Sequence, residues 1–353
     1  MTSSRIPRVA LAAVGSVLLG VLVLLASGVL RRSVGPSRAA SLFSAAIAPD
    51  GLRAAVAARA RETAQLWVVC GTAGPQELTR GVFRYVRSPS WSPDGTRVAV
   101  EAESRVGDSV RVIDVATGRI DVLVEPSPGP HYFRPLWSPQ GDGLAYTVIE
   151  GSRVTVWLAA LIAGTRPTLL AEGTAGDIGL LSLAWSADGR EVLYYSHHRR
   201  EIICVDVGSG TARSVSLPAD LGLDPRIYPS QDGILLLVCS SAPEEGQQNV
   251  WILGADNGQA THLPWVCGGT VAWSPDSSRV VLELDLSAGG GLCVVDVASG
   301  ASRGLTAEGM PDEVADGTAW TSDGRIFFLR AKHALMSIRE DGSSEIVVFP
   351  LGR

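Results

Sequence analysis

One short segment returns along this chain at nearly regular intervals. "WSPDGTRVAV" at residues 91–100 is echoed by "LWSPQGDGLAY" from Leu136, "AWSADGREVLY" from Ala184, "AWSPDSSRVVL" from Ala272 and "AWTSDGRIFFL" from Ala319. Aligned on the turn, the equivalent positions are Asp50, Asp94, Gln140, Asp188, Asp232, Asp276 and Asp323, separated by 44, 46, 48, 44, 44 and 47 residues. Trp91, Trp137, Trp185, Trp273 and Trp320 stand three positions earlier, with Ile47 and Pro229 in the two remaining units. A period of this length built from short strands is the signature of a β-propeller.

Each unit reads as four strands. A short apolar strand ends at the Trp, and "SPDG" supplies a tight turn with Pro at its second position and Gly at its end. An alternating strand such as "EVLYYSH" follows. The third strand is the most regular: "VRVIDVATG", "IICVDVGSG", "VWILGADNG" and "LCVVDVASG". Its closing Asp/Gly turn leads to a fourth strand such as "IDVLV" or "SVSL". The fold class is therefore all-β: a propeller over residues 42–350 with seven four-stranded blades. Its first unit starts near Phe43 and its last ends near Phe349, leaving no strand to be shared between the two ends. The ring is expected to close by side-chain packing between blades 1 and 7. Each Trp is expected to face a neighbouring blade, and the turn aspartates read as structural.

The stretch "SWSPDGTRVAV…VRVIDVATG" resembles the WD40-like repeat of the TolB-type propeller family, also found in the propellers of prolyl-oligopeptidase relatives. The resemblance implies the fold, and it implies a propeller working outside the cytoplasmic membrane. Six blades are usual in that family, against the seven turns counted here. The small α/β domain that precedes the TolB propeller and a following hydrolase domain both have no counterpart in this sequence. The units around Asp50 and Asp232 lack the Trp.

Residues 9–30 carry no charge over 22 positions, enough apolar chain to cross a bilayer as a helix. They are read as an uncleaved single-span anchor after a short tail (1–8), joined to the propeller by the Gly/Pro-bearing linker 31–41. The alternative is a signal cleaved near "ASG" (26–28), giving a secreted protein. Basic residues flank the run almost evenly, so charge does not set its orientation. A net charge of −6 gives no footprint for nucleic acid. Cys70, Cys204, Cys239, Cys267 and Cys293 show no metal spacing and read mainly as buried apolar residues. One disulfide stays open if the domain lies outside the cytoplasm.

No catalytic motif stands out. There is no GxSxG elbow, no HExxH and no P-loop. "SAGGGL" (287–292) reads as a hairpin tip, and "AEGMPDEVADG" (307–317) as a solvated acidic loop in preference to a Ca²⁺ site. No metal and no cofactor are expected. Residues between the second and third strands and between blades gather on one face of a propeller. There "EPSPGPHYFRP" (125–135) offers His131, Tyr132, Phe133 and Arg134, "SHHRRE" (196–201) offers His197 and Arg199, and Phe83 and Tyr85 lie just before the second unit's Trp. Aromatic residues with Arg are what binding hot spots favour, although exposed loop residues can simply coat a surface. The expected function is a membrane-anchored module that binds a protein or peptide partner in the cell envelope. The alternatives are a hydrolase- or lactonase-type propeller enzyme with its site at the channel mouth, and a purely structural envelope element.

Overall fold

The computed structural model describes residues 41–350 except 61–62, 71–74, 80, 163, 180–181, 242–247, 285–290, 307–317 and 331–333. The expected tail, anchor and nearly all of the linker lie outside the described residues, as do the acidic loop 307–317 and most of "SAGGGL".

Seven blades of four antiparallel strands follow one another in chain order. Blade 1 is β1 (Ser41–Ile47), β2 (Arg53–Ala60), β3 (Thr63–Cys70) and β4 (Gln76–Glu77). Blade 2 is β5 (Tyr85–Trp91), β6 (Arg97–Glu103), β7 (Asp108–Asp114) and β8 (Ile120–Ser127). Blade 3 is β9 (His131–Trp137), β10 (Gly143–Glu150), β11 (Arg153–Ala160) and β12 (Thr168–Thr174). Blade 4 is β13 (Ala184–Trp185), β14 (Glu191–Ser196), β15 (Glu201–Asp206) and β16 (Ala212–Ser216). Blade 5 opens with β17 (Leu223–Pro229), β18 (Leu235–Ser241) and β19 (Gln248–Gly254). The 14-residue β20 (Ala260–Trp273) is its outermost strand and also the innermost strand of blade 6, which continues with β21 (Arg279–Leu284), β22 (Leu292–Asp296) and β23 (Ser302–Gly304). Blade 7 is β24 (Ala319–Trp320), β25 (Arg325–Arg330), β26 (Ala334–Arg339) and β27 (Ile346–Pro350). Blades 5 and 6 thus form one seven-stranded sheet, where separate sheets are expected from the sequence. The ladder to β21 shifts register between Cys267 and Val271, where the Gly pair of "ATHLPWVCGGTVAW" lies.

The second strands are buried on both faces, as in "RVAVEAE" of β6, whereas outer strands such as β16 are largely exposed. Apolar side chains of successive blades interdigitate at every seam. Leu66, Val68, Val86 and Trp91 pack between blades 1 and 2, and Leu237, Val250, Trp273 and Val280 between blades 5 and 6. The closing seam follows the expectation: β1 and β27 belong to separate sheets, and Ala45, Val56, Trp67 and Val69 of blade 1 meet Leu335 and Val348 of blade 7.

The recurrent Trp fastens one blade to the blade before it. Indole Nε1 of Trp91 donates to Ala46 O at 3.0 Å, Trp137 to Ser90 O at 3.0 Å, Trp185 to Leu136 O at 3.1 Å and Trp273 to Tyr228 O at 2.8 Å. The acceptor is in each case the residue immediately before the equivalent position one blade earlier. Arg53, Arg97 and Arg279 of the preceding blades lie over the rings of Trp91, Trp137 and Trp320 at 5.0, 4.7 and 5.3 Å from the ring centroids, adding a cation–π contact.

The turn aspartates are structural, as expected. Ser92, Ser186, Ser230, Ser274 and Thr321 donate their hydroxyls to Asp94, Asp188, Asp232, Asp276 and Asp323. In blade 3 Asp142 accepts the Ser138 hydroxyl instead. This frees Gln140, whose amide donates to Asp188 O in the turn of blade 4. A Cβ on Gly189, at φ 64°, would fall on that Gln140 side chain.

Two outcomes follow from this arrangement. Trp137→Phe, which removes the Ser90 bond and leaves a smaller ring in the seam, is expected to cost about 2 kcal/mol and about 4 °C in Tm, measured by urea and thermal unfolding. The hydroxyl of Ser274, followed by Ser278, holds the Asp276 carboxyl down at about 2 from an ordinary 3.8. Its contribution is therefore complete above pH ~4 and is lost as pH falls through ~2. Unfolding at stepped pH should show a shallower decline between pH 4 and 2 in Asp276→Asn than in the parent.

Candidate functional site

The innermost strands of blades 2 and 3 share a distortion. The β5 ladder shifts register between Arg87 and Ser90, and the β9 ladder skips Arg134 and Pro135. Ser88 (φ 48°) and Arg134 (φ 46°) both adopt left-handed backbone conformations, each directly before a Pro. Such conformations are costly for residues other than Gly, and bulges re-aim side chains. Both residues line the channel cavity of about 400 Å³, together with Ala46, Trp91, Tyr228 and Thr318.

A buried carboxylate holds the two bulges together. Glu101 on β6 is 4% exposed, in a strand that is otherwise apolar at its centre. Its Oε2 accepts from Arg87 Nε, and its Oε1 accepts from the Arg134 backbone N–H at 2.6 Å. The Arg87 guanidinium lies 5.2 Å from the ring centroid of Tyr85 and 5.0 Å from that of Phe133. Arg87 is thus flanked by two rings and ion-paired within blade 2, while the bond from the Arg134 N–H to Glu101 crosses the seam to blade 3.

Nearby, a cavity of about 390 Å³ opens at the same seam, lined among others by Tyr85, Glu101, Glu103, Asp108, His131 and Tyr132. Apolar packing between the two blades divides into two small groups, one around Trp137 and Leu144 and one around Tyr132 and Tyr146. The turn between β6 and β7 crosses close to the end of β8. A Cβ on Gly107, at φ 148°, would lie 2.3 Å from Ser127 O, so this approach requires glycine.

The structure places the sequence candidates unevenly. His131, Tyr132, Phe133 and Arg134 lie on β9 and Tyr85 begins β5, not in loops; the prolines and the bulge had masked the strand pattern. His131 Nδ1 lies 2.7 Å from Asp108 Oδ2 across the seam. Phe83 and Tyr132 are only 3% and 7% exposed. Phe83 packs into the core between blades 1 and 2, and Tyr132 against Tyr146 at 6.3 Å between centroids, so neither is the surface contact expected. Burial, with Tyr132 adjacent, raises the Tyr146 pKa above its ordinary value.

His197 and Arg199 lie apart from this group, at blade 4. The His197 ring meets Tyr195 edge-on at 4.8 Å, and the backbone N–H of His197 donates to Asp177 O at 3.0 Å. Arg199 is exposed, beside Arg200, which braces the carbonyls of Ala219 and Leu221. Arg87, Glu101 and Asp108 were missed from sequence. The one available signal was a carboxylate in the middle of the otherwise apolar "VAVEA". Cys204, Cys239 and Cys293 are buried, as expected, and Cys70 is half-buried. Burial pushes the Cys204 thiol up to about 11.

No family model matches this chain, and no curated protein matches it. Among solved structures it is similar to TolB from Acinetobacter baumannii, with TM-score 0.54 and 18% identity over 72% of this chain and 63% of that one. It is also similar to an oligogalacturonate lyase in complex with manganese, with TM-score 0.67 and 13% identity over 83% and 88% of the two chains. A puromycin-hydrolysing peptidase from Mycobacterium tuberculosis gives TM-score 0.66 and 16% identity over 89% and 53%. What they share with it is the fold. The chain spans less than two thirds of that TolB.

The Arg87–Glu101 pair yields an asymmetric expectation. Arg87→Ala strands a buried carboxylate and should cost about 3 kcal/mol. Glu101→Gln leaves a guanidinium that is already 35% exposed and water-accessible, and should cost only about 1 kcal/mol. Chemical denaturation of both variants measures the difference.

Proposed function

We propose that this protein is a binding module that takes a protein or peptide partner at the face where β5 and β9 begin, held at a cell membrane by residues 9–30 with the propeller outside the cytoplasm. Propellers host unrelated activities, so the shared fold leaves the function to the site. The carrying observation is the fixed Tyr85–Arg87–Phe133 stack beside an open cavity. Aromatic and Arg side chains immobilised before a partner arrives lose little entropy on binding. Val82 and Val106, each 58% exposed, add apolar surface in the neighbouring connections. The anchor rests on the uncharged run in the sequence, and the compartment on the family resemblance.

One observation favours the enzyme reading. Asp108 holds one nitrogen of the exposed His131 ring, the arrangement by which a carboxylate orients a general base. Turnover against a panel of esters, lactones and glycosides that disappears in His131→Ala would establish that reading in place of the binding module.

Cross-linked affinity capture with the full-length, C-terminally tagged chain tests the binding module. A partner recovered with the parent and with Val122→Asn on the outer β8 should fall at least tenfold with Val82→Asn/Val106→Asn. Equal recovery with the double variant would remove this face from consideration.

A further inference from the structure

We infer that the cavity between blades 2 and 3 is a pocket for a cationic side chain, Lys or Arg, of the bound polypeptide. This inference rests on the binding reading above and names the chemistry of its recognition.

Charge comes first. Glu101, Glu103 and Asp108 line the cavity against one guanidinium, that of Arg87, which Glu101 already engages. Asp108 has His131 beside it. Glu103 is held only loosely: its carboxylate is 3.9 Å from Arg84, with the two side chains 43% and 68% exposed. The lining therefore keeps an excess of negative charge in a partly desolvated recess, where attraction for a cation is stronger than on open surface.

The second observation is independent of charge. Tyr132 is more than nine-tenths buried and lines the same cavity. Among the described residues its hydroxyl has no hydrogen-bond partner, and it is not among the polar atoms sealed from solvent. A phenol held in the protein without a partner favours a guest that supplies one. An ammonium or guanidinium brings several N–H donors and no acceptors. It can donate to the Tyr132 oxygen, to Glu103 and to the remaining lone pairs of Asp108, while the Tyr85 and Tyr132 rings flank its alkyl stem.

Size and surroundings favour a polypeptide as the source. A volume of about 390 Å³ lies at the small end of ligand pockets, suited to one long side chain with part of its backbone. Val106 adjoins the lining residue Gly107, and Val82 lies three residues before Tyr85. These exposed apolar side chains are surface that a free amine would leave uncovered.

The test uses the full chain and three pentapeptides, Ac-Gly-Val-Xaa-Val-Gly-NH2 with Xaa as Lys, Glu or norleucine, with n-butylammonium as a fourth probe, in titration calorimetry at low salt. The Lys peptide should bind at least tenfold more tightly than the other two peptides and than n-butylammonium. That preference should shrink at least fivefold in Glu103→Gln and, separately, in Tyr132→Phe, two changes that leave the Glu101 ion pair in place. Circular dichroism and thermal unfolding confirm that each variant is folded. Equal or tighter binding of the Glu or norleucine peptide overturns the cation pocket, as does a Lys preference unchanged in both variants. Equal affinity for n-butylammonium overturns the polypeptide source. Capture of a partner through Val82 and Val106 is read separately, so a failed pocket and a failed binding face give different results.

Discussion

The hydrogen bond from Trp91, Trp137, Trp185 and Trp273 to a backbone carbonyl one blade earlier is the interaction on which this ring depends. A single blade cannot bury both faces of its middle strands, so every blade needs its neighbours. Apolar packing supplies the adhesion but little direction. The indole N–H, bonded to one particular carbonyl, fixes the offset between adjacent inner strands. The Arg that opens the second strand covers the next ring in three of the seams, linking turn, strand and neighbour through one short motif.

One of the seams without this fastener, between blades 4 and 5, shows how the motif is compensated. Blade 5 has Pro229 where Trp would stand, and blade 4 has Glu191 where Arg53, Arg97 and Arg279 stand in other blades. Glu191 receives a paired contact from Arg213, whose third nitrogen donates to Ala255 O of blade 5 at 2.9 Å. At this position, where no ring follows, a carboxylate aims a different Arg across the seam.

The repeat made the fold legible because a tight turn, a large ring and an alternating strand are local requirements that leave residue-level marks. Seven turns predicted seven blades, and Ile47 and Pro229 did not prevent the units around them from forming. The joint between blades 5 and 6 was not legible, since a strand that simply continues leaves no turn signature. The site was legible only in part. Aromatic and Arg residues near Tyr85 and His131 marked the region, but which of them face inward depends on bulges that no periodicity records, and so Phe83 and Tyr132 were misplaced on the surface. Glu101 matters through partners on two other strands, Arg87 and the Arg134 N–H, and separations of 14 and 33 residues hide such a pairing from a linear reading.

The continuous β20 also gives the ring a grain. Blades elsewhere belong to separate sheets and meet mainly through side chains and indole bonds. Blades 5 and 6 share backbone pairing on both sides of one strand, so fraying at Cys267–Trp273 is felt along Ala260–Val266 as well. Amide protons of these two blades should exchange as one block, a stiff pair among the seven, across the ring from the seam of blades 2 and 3.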